Sequence, residues 1–265
     1  MSLTKELLND FVSGDIKDEA FKPFFFAVCS ALAYRNPERG WTKHFEALGV
    51  EINFYDEDGA QCYVLEDDNK IIVAFRGTEP KQWSDIKADL SFRKTWHRGD
   101  GKVHRGFMIE TWKLFDELAM HVYRTDKQVY ITGHSLGGAM ATLYSMSCRP
   151  QYSPQVYTYG SPRVGNSDFC QTYDNDHVRV VNNNDAVTSV PPSLFGFRHT
   201  VKPLYINHYG HVRNLTPWQR LKDKVRGHFS AWKKFEFFDS LRDHSIDKYC
   251  QYMHRHWKES LKSDN

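Results

Sequence analysis

One serine lies between two glycines at a point where the sequence pattern changes from strand to helix. Ser135 occupies the pattern Gly133-x-Ser-x-Gly137, after the β-branched and aromatic run 127–132 and before a helical pattern that begins at Leu136. The two glycines permit a sharp turn that exposes the serine hydroxyl at the end of a sheet. The amide of Leu136 and the positive end of its helix would then face a developing oxyanion. The pattern predicts Ser135 as the nucleophile of an acyl transfer, with Leu136 in the oxyanion hole.

A serine hydroxyl is a poor nucleophile at neutral pH, so the site needs a base and an acid that orients the base. In this kind of turn the chain order is nucleophile, acid and then histidine. Asp185 follows the strand pattern 178–181 and stands at its carboxyl end, where α/β sheets place functional groups. Its competitors, Asp174 and Asp176, fall at the start of the strand. We therefore predict Asp185 as the acid.

The predicted base is His244, which lies in a loop just before the last helical stretch of the chain. His208, His211 and His228 are rivals that the spacing leaves open. A lone histidine is more often structural than catalytic, but a nucleophile and an acid already in place favour the catalytic interpretation.

The elements around these residues predict an α/β fold. Strand patterns at 50–55, 61–66 and 70–75 are separated by the turns 56–59 and 67–69, which indicates an antiparallel meander. Helix and strand patterns then alternate, which is typical of right-handed βαβ units and a parallel sheet. The helices are predicted at 107–123, 136–148 and 167–173, and the strands at 127–132, 155–159 and 177–181. We predict a single domain over residues 1–265.

Six blocks of the sequence together resemble the class 3 lipase family, the fungal-type triacylglycerol lipases of the α/β-hydrolase fold. The resemblance covers residues 24–250. Its blocks are IIVAFRGT (71–78), VHRGF (103–107), ITGHSLGG (131–138), YGSPRVGN (159–166), NNNDAV (182–187) and DHSI (243–246). The resemblance implies Ser135, Asp185 and His244 as the catalytic triad, with Thr78 and Leu136 in the oxyanion hole. It implies a mostly parallel central sheet with an antiparallel N-terminal meander, helices on both faces and a short lid helix.

The role of Thr78 comes from the resemblance, and a threonine that caps the next helix at Pro80 is a compatible interpretation. The lid implied by the family would span residues 79–90. Trp83, Ile86 and Leu90 recur there at helical spacing as a substrate-facing apolar stripe, or as the packing face of an ordinary surface helix.

Residues 216–238 predict a further helix with an apolar face and a basic face, which favours either packing against the domain or an anionic lipid surface.

Composition excludes several other classes of function. The net charge is +2, and neither a phosphate-binding loop nor an RNA-binding motif is present, so nucleic acid is not an expected partner. The histidine pairs His208/His211 and His254/His256 lack accompanying ligands, and no metal or cofactor is expected. No apolar run reaches the roughly 20 residues of a membrane span. The predicted partner is a lipid ester, met at a lipid–water interface.

The predicted function is hydrolysis of lipid carboxylic esters, as a triacylglycerol lipase or carboxylesterase. A phospholipase A1 or an aryl (feruloyl-type) esterase of the same family is the alternative, and a catalytically silent lipid-binding or interaction module is an alternative of another class. The first twenty residues lack the order of a signal peptide, and the five cysteines are odd in number and widely spaced. These features predict a cytoplasmic protein, with leaderless export or a trimmed chain left open.

Overall fold

The structure is a computed structural model that describes residues 5–36, 49–78, 92–98, 101–123, 125–148, 153–213, 219 and 244–263. Its strands are β1 (Glu51–Glu57), β2 (Ala60–Glu66), β3 (Lys70–Phe75), β4 (Lys94–Trp96), β5 (Lys102–His104), β6 (Gln128–His134), β7 (Gln155–Tyr159), β8 (His177–Asn182) and β9 (Pro203–Ile206). Its helices are α1 (Lys5–Ser13), α2 (Lys22–Leu32), α3 (Arg105–Lys113), α4 (Phe115–Val122), α5 (Leu136–Ser147), α6 (Ser167–Thr172) and α7 (Ile246–Ser263).

Seven of these strands form one sheet in the order β1-β2-β3-β6-β7-β8-β9. The first three strands pair antiparallel through short turns, and β3, β6, β7, β8 and β9 run parallel. The first turn uses Asp58 and Gly59, both with positive φ, as a tight hairpin requires. This arrangement confirms the predicted meander followed by a parallel sheet. The carboxyl ends of the parallel strands therefore meet at one edge.

Helices cover both faces of the sheet, and the residues of β3 show how. Ile72 and Ala74 join the core under α1, α2 and α7, whereas Ile71, Val73 and Phe75 join the core under α4 and α5. Successive side chains of a strand point to opposite faces, so a strand buried on both sides reads as a continuous apolar run. That is why residues 70–75 carry no polar alternation.

The helix α7 is fixed to the N-terminal helical layer by aromatic packing and by polar contacts. The ring of Trp257 lies 4.9 Å from that of Phe21, and its indole N–H donates to Asp18 at 3.1 Å. The carboxylate of Asp10 contacts His254 Nε2 at 2.6 Å and Lys258 Nζ at 2.9 Å. These contacts hold the carboxyl-terminal half of α7 against the N-terminal helical layer.

Two features differ from the sequence prediction. The helix predicted at 107–123 is two helices, because Leu114 leaves helical geometry (φ −97°, ψ 3°) while its side chain is fully buried. The hairpin of β4 and β5 and the edge strand β9 were not predicted, since three- and four-residue strands are too short for a periodic signal. In the part of the chain that the structure describes, no helix combines the length and the apolar character needed to span a bilayer.

Candidate active site

The nucleophile candidate Ser135 forms a strained turn between β6 and α5. Its φ of 62° and ψ of −128° are unusual for a residue with a side chain. A Cβ on Gly133 would lie 2.3 Å from the carbonyl oxygen of Gly137, and one on Gly137 would lie 2.3 Å from that of Phe75. Close backbone contacts therefore exclude a side chain at both positions. The Ser135 hydroxyl is buried and has no hydrogen-bond partner among the described residues.

The acid candidate Asp185 stands just beyond the carboxyl end of β8 and is 1% exposed. One carboxylate oxygen accepts the backbone N–H of Val187 at 2.9 Å. The other contacts His244 Nδ1 at 2.8 Å and accepts the hydroxyl of Tyr249 at 2.6 Å. A buried carboxylate is tolerated only when donors surround it, and here both of its oxygens have them. The arrangement can orient an imidazole and stabilise its charged form.

The base candidate His244 is buried directly before α7, and a second histidine holds its backbone. His134 Nε2 lies 2.6 Å from the carbonyl oxygen of His244, and His134 Nδ1 lies 2.8 Å from the hydroxyl of Tyr34. Burial, together with the nearby His244, lowers the pKa of His134 well below its usual value. A neutral His134 therefore donates from Nε2 to the carbonyl and accepts the Tyr34 hydroxyl at Nδ1. The residue before the nucleophile thus positions the loop of the base.

Tyr249, five residues after His244 and one turn into α7, is a site residue that sequence reasoning missed. Its hydroxyl donates to Asp185 and accepts the backbone N–H of Asn182 at 3.1 Å. Burial and the neighbouring carboxylate raise the pKa of this phenol well above 10, so it remains a donor. The sequence offered no signal beyond a tyrosine at the end of the segment already singled out for His244.

Gly160 is the second residue that was missed, and it makes room for the acid and the base. It ends β7 with φ +59°, and a Cβ there would lie 2.6 Å from Asp185 Oδ2 and 2.9 Å from His244 Nδ1. Any side chain would displace the pair. A glycine directly after a strand at the carboxyl edge of the sheet was the available signal.

The segment after β3 lies against the nucleophile turn. A Cβ on Gly77 would come 2.4 Å from the carbonyl oxygen of His134 and 3.1 Å from the Cβ of Ser135. Thr78 and Leu136, the predicted oxyanion-hole residues, line one cavity of about 280 Å³ together with Gln61, Arg76 and Glu110. The structure thus brings both predicted oxyanion residues to the neighbourhood of Ser135.

The rival residues lie elsewhere. Asp174 and Asp176 are exposed at the amino end of β8, at the opposite edge of the sheet. His211 follows β9 and its Nδ1 is 3.2 Å from Glu259. His208 is in the same turn after β9. The lid residues Trp83, Ile86 and Leu90, the third rival His228 and the predicted helix 216–238 lie outside the described residues, with the exception of residue 219.

Comparison with known proteins places this geometry in context. Residues 72–195 match the family described as Lipase (class 3). A stretch of 157 residues is 35% identical to "Secreted mono- and diacylglycerol lipase 1" of Fusarium solani and covers 54% of this chain and 46% of the relative. "Secreted mono- and diacylglycerol lipase MDL3" of Malassezia globosa is 29% identical over 178 residues, which are 63% of this chain and 58% of the relative. The match thus spans about half the length of these curated relatives.

Solved structures confirm the fold. Lipase II from Rhizopus niveus superposes with a TM-score of 0.59 at 26% identity, covering 77% of this chain and 82% of that structure. The α/β-hydrolase fold predicted from the sequence is therefore confirmed.

The predicted cytoplasmic location is wrong, since relatives over half of the chain are named as secreted lipases. The cysteine argument fails for a physical reason. Cys29, Cys62 and Cys250 are buried, and that burial raises the pKa of each thiol. Buried thiols without thiolate character are inert to oxidation, so free cysteines do not identify a reducing compartment.

Proposed function

Since this chain belongs to the class 3 lipase family, we propose that it hydrolyses carboxylic esters of lipids through an acyl-enzyme formed on Ser135. The observation that carries the proposal is the buried Asp185–His244 pair beside a strained serine turn at the same edge of the sheet. A strained serine turn at the same edge of the sheet as an imidazole oriented by a carboxylate, and tied to it through the contact of His134 with the His244 carbonyl, supports a serine hydrolase site.

In the proposed mechanism the Ser135 oxygen attacks the ester carbonyl while His244 Nε2 accepts the hydroxyl proton. Asp185 keeps the proton of Nδ1 in place and stabilises the imidazolium that forms. The amides of Thr78 and Leu136 stabilise the oxyanion. The tetrahedral intermediate then collapses, His244 returns its proton to the departing alcohol, and the acyl group remains on Ser135. A water molecule activated by His244 repeats the sequence and releases the fatty acid.

The proposed substrates are small acylglycerols acted on outside the cell. The relatives from Fusarium and Malassezia are named as secreted mono- and diacylglycerol lipases, and the match to each covers more than half of this chain. The proposal retains a lid over residues 79–90, with Trp83, Ile86 and Leu90 towards the acyl chain.

The test is fatty-acid release from mono- and diacylglycerol by wild type and by Ser135→Ala. Loss of the nucleophile should lower kcat by roughly 10⁴- to 10⁶-fold without unfolding the protein. Ser167→Ala, at an exposed serine of α6, is the matched control and should retain wild-type activity. A Ser135→Ala variant that keeps most of the activity would contradict the mechanism.

Labelling by a fluorophosphonate probe separates an active serine from a silent module, because only an activated hydroxyl reacts.

A further inference from the structure

Four large apolar side chains are exposed together on one side of the molecule. Leu194 is 89% exposed, Trp96 63%, Phe195 46% and Phe92 38%. The rings of Phe92 and Phe195 are stacked, with centroids 4.4 Å apart and planes inclined by 16°. Single exposed apolar residues are ordinary, but a contiguous group of them is typical of an interaction site.

The group forms a single surface because two lysines connect its members. Lys94 and Trp96 alternate along β4 and therefore point to the same face, and Phe92 lies two residues before this strand. The ammonium of Lys94 donates to the carbonyl oxygen of Phe195, which joins the hairpin to the loop of residues 193–198. Trp96 pairs with Lys102 across the hairpin, and the Lys102 ammonium lies 4.9 Å from the centre of the indole. We call this surface the aromatic patch: Phe92, Lys94, Trp96, Lys102, Leu194 and Phe195.

The described segments that carry the aromatic patch are basic, and an acid, Asp168, lies beside them through Asn166, whose side chain contacts both Asp168 and the backbone N–H of Lys102. Segments 92–98, 101–105 and 193–198 contain no acidic residue, and Asp100, between the first two, lies outside the described residues. Their cations are Arg93, Lys94, Arg98, Lys102, Arg105 and Arg198. Within the described ranges, the ion pairs of the protein involve none of these six side chains. Their charge is therefore available to an anionic partner.

The aromatic patch is connected rigidly to the catalytic acid. Its loop continues the chain from Asp185, and the Thr188 hydroxyl donates to the carbonyl oxygen of Asp185 at 2.8 Å. The guanidinium of Arg163 donates to the carbonyl oxygens of Ser189 and Pro191. Leu194 therefore lies on a loop whose preceding residues hydrogen-bond to Asp185 and to Arg163.

We propose that the aromatic patch docks the protein on an anionic lipid–water interface. Leucine and phenylalanine side chains enter the acyl region, tryptophan is stabilised at the level of the headgroups, and lysines attract anionic lipids. This inference rests on the proposed function, because a lipid ester must be reached at such an interface. It adds a docking surface made of residues other than the proposed lid residues 83, 86 and 90.

The experiment measures binding to vesicles in a Ser135→Ala background, so that hydrolysis does not alter the lipid. Sedimentation is compared for phosphatidylcholine vesicles with and without phosphatidylglycerol. The parent should bind the anionic vesicles more tightly, and raised salt should reduce that preference. Leu194→Ser/Phe195→Ser should weaken binding roughly ten-fold or more, because less apolar surface leaves water. Lys94→Gln/Lys102→Gln should selectively reduce the preference for phosphatidylglycerol.

Two controls use similar residues on other faces. Met120→Ser removes a 68% exposed apolar side chain from α4, and Lys17→Gln removes an exposed cation, and both should bind like the parent. With Ser135 restored, Leu194→Ser/Phe195→Ser should hydrolyse the soluble ester p-nitrophenyl butyrate at the wild-type rate. The proposal is overturned if the patch variant binds vesicles as the parent does, or if Met120→Ser weakens binding equally. Failure of the proposed function would instead appear as absence of Ser135-dependent hydrolysis, which the binding assay does not measure.

Discussion

At the scale of single residues, the site depends on side chains that share partners. The carboxylate of Asp185 is shared by His244 and Tyr249, and the tyrosine hydroxyl also accepts the N–H of Asn182. Tyr249 therefore links the end of β8, the acid and the helix that follows the base. We regard it as a positioning residue, because it acts on the reaction through Asp185.

Tyr249→Phe should lower kcat/KM by about ten- to a hundred-fold, since a hydrogen bond to a charged group contributes about 1.5–3 kcal/mol. The loss should fall on kcat rather than on KM, because the hydroxyl acts on the acid and not on the substrate. Tyr252→Phe, on the same helix and half-buried, is the control and should be neutral. Wild-type kcat in Tyr249→Phe, with an unchanged melting temperature, would contradict the positioning role.

The candidate residues that the sequence indicates are those whose signal is local. Ser135 was indicated by two glycines and a change of period, and Asp185 by its place after a strand. Tyr249 and Gly160 were not predictable in the same way, because their roles depend on distances between segments remote in the chain. The contact of the Tyr249 hydroxyl with Asp185 spans 64 residues, and no local pattern encodes it.

At the scale of elements, the packing of α7 determines whether the base reaches the sheet. Trp257 is 8% exposed, and it contacts Phe21 and Phe24 as well as Asp18. Trp257→Ala should destabilise the protein by about 3–5 kcal/mol through loss of buried area and creation of a cavity. Urea unfolding followed by fluorescence and by esterase activity measures the effect.

Activity and structure should be lost together in Trp257→Ala, because α7 is continuous with the loop of His244. Trp257→Phe keeps an aromatic ring in the cavity and should recover part of the loss. If Trp257→Ala kept its activity up to the urea concentration at which wild type loses its own, the site would not depend on this packing.

Prediction succeeded for elements with a strong period and failed for short or interrupted ones. The strand at 155–159 was predicted with its observed bounds, and the helix at 136–148 ended one residue early, at Ser147. The break at Leu114 could not be predicted, because leucine is a good helix former and its sequence neighbourhood carries no helix-stop signal. Val103 of the β4–β5 hairpin bridges Gly165, which lies far along the chain and in turn bridges Arg198.

At the scale of the whole molecule, stability should decrease in mild acid because several histidines are held neutral. Removal from water, together with neighbouring positive charge, lowers the pKa of His177 to about 3 and those of His134 and His199 well below 6.5. The unfolded chain binds protons at these histidines near pH 6.5 and the folded chain does not. The free energy of unfolding is therefore undiminished by these histidines above pH 6.5, and it decreases progressively as the pH falls from 6.5 towards 3.

His177→Gln should make the free energy of unfolding less dependent on pH. The free energy of unfolding of wild type should fall more steeply below pH 6.5, by up to about 1.4 kcal/mol per pH unit for this histidine. Glutamine can retain contacts to Thr158 and Thr200, the two hydroxyls beside the ring. Urea unfolding at pH 7.5, 6.5, 5.5 and 4.5 measures the slopes, with pH 7.5 as the reference. Parallel curves for the two proteins would contradict the assignment.

The position of His244 just before α7, late in the chain, has a consequence for biosynthesis. His244 follows Asp185 by 59 residues, and Tyr249 follows it by 64. A nascent chain therefore presents the nucleophile and the acid well before the residues that activate them. At about 5–20 residues per second the interval is roughly 3 to 12 seconds. On the proposed mechanism, the emerging protein would therefore have no hydrolytic power until the ribosome has released the segment that carries the imidazole.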